Sequence, residues 1–308
     1  MASKKIKIED AGVEPAAPKR TEGLARRACG PLAKPTRPLT VGALERALLA
    51  EFPAADAEAW DRTGLLVGDP AQLVTRVAVA LDPTVAAIDA AAEAGANVLL
   101  THHPAYLNPP ETFRPAPSVA ANPGAGVYRA IERGVALMNF HTALDVSPRA
   151  QRVLPGMLGL VFGRVLEPLA QAPEKGYGQL CTFAAGDELT LAQLAARCTA
   201  VFGRAPRVWG DFTRPLARVV TCTGSCGTTA AAARRAGADA IVCGEVKYHD
   251  ALDLSQAGLA VLDLGHDTSE LPLATALAAA VRDVGVPEEQ VMLIDQQQNW
   301  TYPETTRV

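Results

Sequence analysis

The 308-residue chain has five histidines, and four sit beside each other or at a fixed distance from a carboxylate: His102 next to His103, His141 four residues before Asp145, and His266 four residues before Glu270. Imidazole nitrogens mixed with carboxylate oxygens suit Zn²⁺, Mn²⁺, Fe²⁺ or Co²⁺ and disfavour Ca²⁺. Neighbours such as His102 and His103 point different ways at a strand end, so each can serve a different ion. A carboxylate such as Glu270 can bridge two ions through its two oxygens. Two ions about 3.5–4 Å apart would lower the pKa of a bridging water and clamp an oxyanion. An isolated His-His pair is more often just packed or solvated, and H-x-x-x-D alone is equally weak. Their weight here comes from where the chain places them.

An internal repeat supplies the elements that must position these groups. Residues 76–82 read as a buried strand, 85–94 as an Ala-rich helix, and 94–101 turn through Gly95 into a second strand. The order returns 142 residues later as strand 218–224, helix 230–235 and a strand entered through Gly237, with no gap needed across 76–103. A Gly just past a helix fits the C′ position, where positive φ carries no Cβ penalty. Strand, helix and strand within about thirty residues make a βαβ unit with parallel pairing. A third strand follows in each copy: 134–140 leads to His141, and 258–264 leads through Gly265 to His266. The expected fold is α/β, with two similar lobes from an internal duplication of a βαβ-type unit facing each other across a metal-containing cleft. Ligands gather at the carboxyl ends of parallel strands, and all four histidines fall there.

Residues 39–150 are expected to form the first lobe and 151–308 the second, including an inserted α+β segment at about 151–216. That segment carries a strand near 178–183 and a helix at 190–201. A helix at 41–51 behind a Thr40 N-cap opens the first lobe. Another spans about 271–284, with Pro272 in its first turn, where a missing N–H costs nothing.

Hydrophobic residues make up 49% of the chain and aromatic ones 5%, so the core is built from Ala, Val and Leu, as suits α/β layers. A net charge of −4 argues against a nucleic-acid surface, and no apolar run reaches the roughly 20 residues of a membrane helix. The expected partner is a small-molecule substrate. Residues 1–38 hold nine Lys or Arg against four acids, a basic arm expected to be disordered. With no apolar signal segment, the expected location is cytoplasmic, and the six cysteines (29, 181, 198, 222, 226 and 243) are expected to be reduced.

Three further signals have two readings each. Thr223-Gly224-Ser225-Cys226-Gly227 is an anion-holding loop or a tight turn. Glu245 and His249, with Lys247 and Tyr248 between them, are candidates for proton transfer or a solvated surface. Asp61 is a carboxylate behind the metal site or part of an ordinary turn.

Five ordered motifs then point to a family: residues 60–69, Thr101-His102-His103-Pro104, residues 141–145, residues 244–249 and residues 265–270. From about residue 40 onward the chain resembles the NGG-interacting factor three-like family, whose members are also called GTP cyclohydrolase type 2 homologues. The resemblance implies that His102 and Asp145 hold one metal, His103 and His266 the other, and Glu270 both, with His141 adjacent. It also implies a two-lobed subunit in a toroidal homohexamer with metal sites facing an inner cavity. The chain departs from the family at Arg62, where the family has Asn, and at Gln179 and Cys181, where it has Arg and Gly. Two function classes follow. One is a dinuclear-metal-dependent hydrolase of a small, nucleotide-like or phosphorylated substrate, GTP cyclohydrolase type 2-like by the resemblance. The other is non-enzymatic: a metal-binding homo-oligomeric scaffold, metal store or interaction hub. Five protein ligands shared by two ions leave positions open for water, which favours the hydrolase.

Overall fold

Thr40, in extended conformation, accepts the Ala43 N–H at 3.2 Å and so starts helix α1 (Val41–Glu51), which lays Val41, Leu44 and Leu48 against the core. The computed structural model describes residues 38–117, 122, 124–297 and 299–300; the basic arm up to residue 37, with Cys29, lies outside them. After α1 come β1 (Gly64–Val67), β2 (Val77–Ala80), α2 (Val85–Glu93), β3 (Val98–Thr101), α3 (Gly124–Arg133), β4 (Ala136–Asn139) and the short α4 (Thr142–Asp145). The chain continues through α5 (Val153–Met157), β5 (Leu160–Leu169), β6 (Ala172–Phe183), β7 (Leu189–Thr190), α6 (Leu191–Phe202), β8 (Arg207–Trp209), β9 (Pro215–Leu216) and β10 (Arg218–Ser225). Then follow α7 (Thr229–Arg235), β11 (Ala240–Glu245), α8 (Tyr248–Gln256), β12 (Ala260–Asp263), α9 (His266–Asp283) and β13 (Val291–Leu293). Gly95 and Gly237, with φ of +76° and +67°, end α2 and α7 as expected.

The fold is mixed α/β. One sheet runs β1-β4-β3-β2-β13, with β2, β3 and β4 parallel and Val79, Leu100 and Met138 in line. The other runs β5-β6-β10-β11-β12-β8, with β10, β11 and β12 parallel and Thr221, Val242 and Leu262 in line. Strands covered on both faces are apolar throughout. In the first sheet Val77, Val79 and Leu100 pack with α1 and α9, while Ala78, Ala80 and Leu99 pack with α2 and α3. In the second, Val219 and Val242 pack with α5 and α6, and Val220 and Ile241 with α7 and α8. Each buried Val or Leu contributes about 1.5–3 kcal/mol, against about 0–1 kcal/mol for an exposed ion pair. The two-sided strands therefore hold the layers together.

The elements differ from expectation in three ways. Segment 151–216 supplies β5, β6 and β8 to the second sheet, and β6 begins at Ala172, ahead of the strand expected near 178. Helix α9 starts at His266 instead of 271, because the chain turns at Gly265 (φ +93°) and Ser269 N–H already bonds the Gly265 carbonyl at 3.1 Å. Pro272 consequently lies in the second turn, where its ring forfeits the bond to the Thr268 carbonyl. Finally, the last elements return to the first sheet: Leu273, Leu277 and Val281 of α9 join its core, and β13 pairs parallel with β2. The strands of the second sheet thus lie within 151–308, but that stretch does not serve the second sheet alone. No helix among the described residues is long and apolar enough to cross a membrane. Cys181, Cys198, Cys222, Cys226 and Cys243 are buried free thiols.

Candidate metal centre

β3 ends at Thr101, and the next residues are His102 and His103. Their backbone N–H groups bond the carbonyls of Ala80 (3.3 Å) and Leu81 (2.9 Å), carrying the ladder past the strand end and fixing where both rings begin. His141 precedes α4 and Asp145 closes it. Beyond β12 the Asp263 carboxylate accepts from Gly265 N–H at 3.0 Å, so the chain enters α9 with His266 first and Glu270 one turn later.

All four histidines have Nδ1 engaged by an oxygen. His102 meets the Phe140 carbonyl (3.2 Å), His103 meets Asp82 (2.7 Å), His141 meets Asp61 (2.9 Å) and His266 meets Glu245 (3.0 Å). In a neutral ring the proton then sits on Nδ1 and the lone pair on Nε2, the orientation of a ligating imidazole. On that side His102 Nε2 lies 3.5 Å from Asp145 Oδ1 and 3.6 Å from Glu270 Oε1. His103 Nε2 and His266 Nε2 lie 3.0 and 3.1 Å from Glu270 Oε2. Glu270 thus faces His102 with one oxygen and the other two histidines with the second. Donor atoms of His102, His103 and His141 lie within 4.8 Å of one another, as do those of His103, His266 and Glu270, so either group could hold a metal ion.

The cluster lacks a partner that a cation would supply. His102 Nε2 and Asp145 Oδ1 are buried without a hydrogen bond, and Glu270 Oε2 is buried with only the His103 and His266 nitrogens close to it. Each orphaned group costs about 1–3 kcal/mol, and one nitrogen with two carboxylate oxygens is a donor set for a divalent ion. Charge points the same way. Burial opposes ionisation of Glu270, yet His102, His103 and His266 hold its carboxyl well below the usual range. Burial pushes the Asp145 carboxyl up, with His102 pulling against it and Glu270 adding to it. Burial lowers His103, but Asp82 and Glu270 outweigh this and raise it to about 10; Glu270 chiefly raises His266 to about 9. The second sheet's loops close on the same carboxylate. At Gly224 (φ +59°) a Cβ would collide with Glu270 Oε1, and its N–H donates to Ser269 Oγ at 2.8 Å.

A cavity of about 750 Å³ opens onto the cluster, with His103, His141 and Glu270 in its wall together with Trp60, Tyr177 and Gln179. The 223–227 loop also lines it, and Gly224 there faces the Glu270 carboxylate. Glu245 is exposed beside His266. His249 is exposed on α8 against Tyr248, with ring centroids 5.2 Å apart, and is not among the residues lining the cavity. Asp61 is not an ordinary turn residue. Its fully buried carboxylate accepts from His141, from Thr142 N–H (2.9 Å) and from Thr142 Oγ1 (2.5 Å). Burial would raise it, but these bonds bring it down to about 2. Sequence reasoning misses Asp82, although a carboxylate at the end of the strand beside β3 is the signal that could find it. The Phe140 carbonyl, a backbone group, has no such signal.

The family model for Duf34/NIF3 (NGG1p interacting factor 3) matches residues 39–299. A GTP cyclohydrolase 1 type 2 homolog from Streptomyces coelicolor is 34% identical over 247 residues, covering 77% of this chain and 84% of that protein. One from Clostridium perfringens is 28% identical over 228 residues, covering 73% and 85%. Among solved structures, a hypothetical protein from Staphylococcus aureus has a TM-score of 0.77 at 23% identity, covering 87% of this chain and 100% of that one. A Bacillus cereus protein related to NIF3 has a TM-score of 0.77 at 18% identity with the same coverage. These two structures share the fold.

Proposed function

The chain belongs to the Duf34/NIF3 (NGG1p interacting factor 3) family, and from that premise we propose that it is a metal-dependent hydrolase of a small molecule with two divalent ions at its centre. One observation carries the reading: His102, His103 and His266 turn Nε2 toward Asp145 or Glu270, while an oxygen holds Nδ1 of each of them, and of His141, from behind. On this reading His102 and Asp145 hold one ion, His103 and His266 the other, and Glu270 both, with His141 beside the first. Zinc, iron and manganese suit these donors. When bound, the ions supply an activated water and a positive clamp for a developing oxyanion. The chain's own residues fix the geometry: Asp82, Asp61, Glu245 and the Phe140 carbonyl set each ring's tautomer and tilt. Burial, with Asp145 and Glu58, pushes the Tyr177 hydroxyl up, so it stays protonated as a donor on the cavity wall. Glu245 at the cluster's edge and His249 on α8 are the candidates for exchanging protons with solvent, and Glu245 is the better placed.

The relatives' name, GTP cyclohydrolase 1 type 2 homolog, supports hydrolysis as the reaction class. We also read the two sheets as products of one duplication, since each has three parallel strands separated by helices and a His-carboxylate pair after the last. The family resemblance supports assembly as a homohexamer. Protein loaded with Zn²⁺, Mn²⁺ or Fe²⁺ is expected to hydrolyse members of a panel of nucleotides, phosphoesters and cyclic amides, and to lose that activity with a chelator or in His103→Ala. Firm metal binding without turnover of any of them would replace the enzyme with a metal store or scaffold.

A further inference from the structure

Gln179 and Thr221 stand directly opposite each other in the antiparallel ladder of β6 and β10. Thr221 is fully buried and Gln179 is 6% exposed. The Thr221 hydroxyl donates to Gln179 Oε1 at 2.7 Å. With Oε1 accepting this bond, the amide turns its NH₂ group away from the hydroxyl. Gln179 Nε2 is left with two N–H donors and no hydrogen bond among the described residues. The side chain lines the cavity that opens onto His103, His141 and Glu270. The amide therefore has donors free for a molecule in the cavity that presents an acceptor.

The rest of the wall indicates what that acceptor belongs to. Trp60 and Leu107, 56% and 41% exposed, give the cavity an uncovered aromatic and aliphatic surface suited to a flat apolar ring. Among the described residues of the lining, the acids are Glu58, Asp145 and Glu270. Within that wall the Glu58 carboxylate repels an anionic substituent that comes near it. A carbonyl on a neutral ring is an acceptor that suits an N–H donor without bringing a charge.

We infer that Gln179 is the specificity-determining residue of this cavity, donating from its amide to a carbonyl of a planar, uncharged cyclic amide held against Trp60 and Leu107. The inference rests on the hydrolase reading and narrows its substrate class from nucleotide-like or phosphorylated molecules to neutral rings.

The test is calorimetric titration of hydantoin and of uracil into the full-length protein, as purified and after chelation. Gln179→Glu, Gln179→Leu and Thr221→Val are measured alongside, with the metal content and unfolding midpoint of every sample. Wild type is expected to bind at least one probe, and both Gln179 variants to weaken that binding by about tenfold or more at unchanged metal content. Thr221→Val, which frees the amide to turn over, is expected to weaken it less. Equal affinity in wild type and both Gln179 variants, or no binding of either probe at about 10 mM, overturns the assignment. If wild type holds no metal yet loses probe binding in Gln179→Glu, the hydrolase reading fails and the Gln179 assignment stands.

Discussion

The histidines at this centre depend on acceptors behind them, and those acceptors are where single substitutions separate geometry from ligation. Asp61 takes three hydrogen bonds from His141 and Thr142 with a fully buried carboxylate. Asp61→Asn removes the charge and turns an NH₂ group toward at least one of these donors. It is expected to cost about 1–3 kcal/mol in urea unfolding; a change too small to resolve would mean that His141 is not anchored this way. The histidines themselves were legible in the sequence because four of the five fall at strand ends with carboxylates at fixed spacing. Asp61 was legible only as one of two readings, because a carboxylate between Trp60 and Arg62 looks the same whether it turns outward or toward His141. Asp82 was legible only as a carboxylate following a strand. Its pairing with His103 depends on β2 lying beside β3, which is a fact of sheet order.

Glycines at element ends make different demands, and a matched pair of substitutions shows it. Gly95 closes α2 with φ +76° and open space where a Cβ would go, while Gly224 has φ +59° and Glu270 Oε1 against it. Gly95→Ala is expected to cost about 1–2 kcal/mol of stability from the left-handed backbone alone and to leave metal content unchanged. Gly224→Ala carries the same backbone cost and also displaces the carboxylate, so metal content is expected to fall by half or more, in roughly the manner of a lost ligand-orienting contact. Equal metal content in the two variants would contradict the cradle around Glu270. A pH series tests a different element join. Burial opposes ionisation of Asp239, but bonds from the N–H groups of Ala217 and Arg218, with Arg214, hold its carboxyl below the usual value. A depressed carboxyl contributes stability in full above its unfolded value of about 3.9 and loses it as pH falls through the folded one. The Tm gap between wild type and Asp239→Asn is therefore expected to hold steady from about pH 5 to 7 and to shrink below about pH 4; a gap that widens in acid would reverse the sign. Helix α9 marks the limit of reading elements from sequence. Pro272 suggested a start near 271, whereas Gly265 and the Ser269 bond set it at His266 and so put His266 and Glu270 on one helical face.

At the scale of the whole molecule, the two sheets are tied by a segment that serves both. α9 begins beside the end of β12 and then buries Leu273, Leu277 and Val281 in the first sheet's core, and β13 lies along β2. A fragment of residues 39–150 lacks both and would keep only α1 over one face of β2, β3 and β4, exposing the part that α9 covers. It is expected to show no cooperative unfolding transition; a fragment that folds alone would restore the division after residue 150. The repeat of strand and helix was legible because its glycines and apolar runs recur in step, whereas the return of β13 was not, because a three-residue strand carries no period of its own. The claim on which the rest depends is that Glu270 faces a pair of ions, and the direct measurement is metal per chain in purified wild type beside Glu270→Ala. About two equivalents in wild type, falling sharply in the variant, is the predicted result. Less than about one tenth of an equivalent in wild type, even after incubation with Zn²⁺, Mn²⁺ or Fe²⁺, would contradict it.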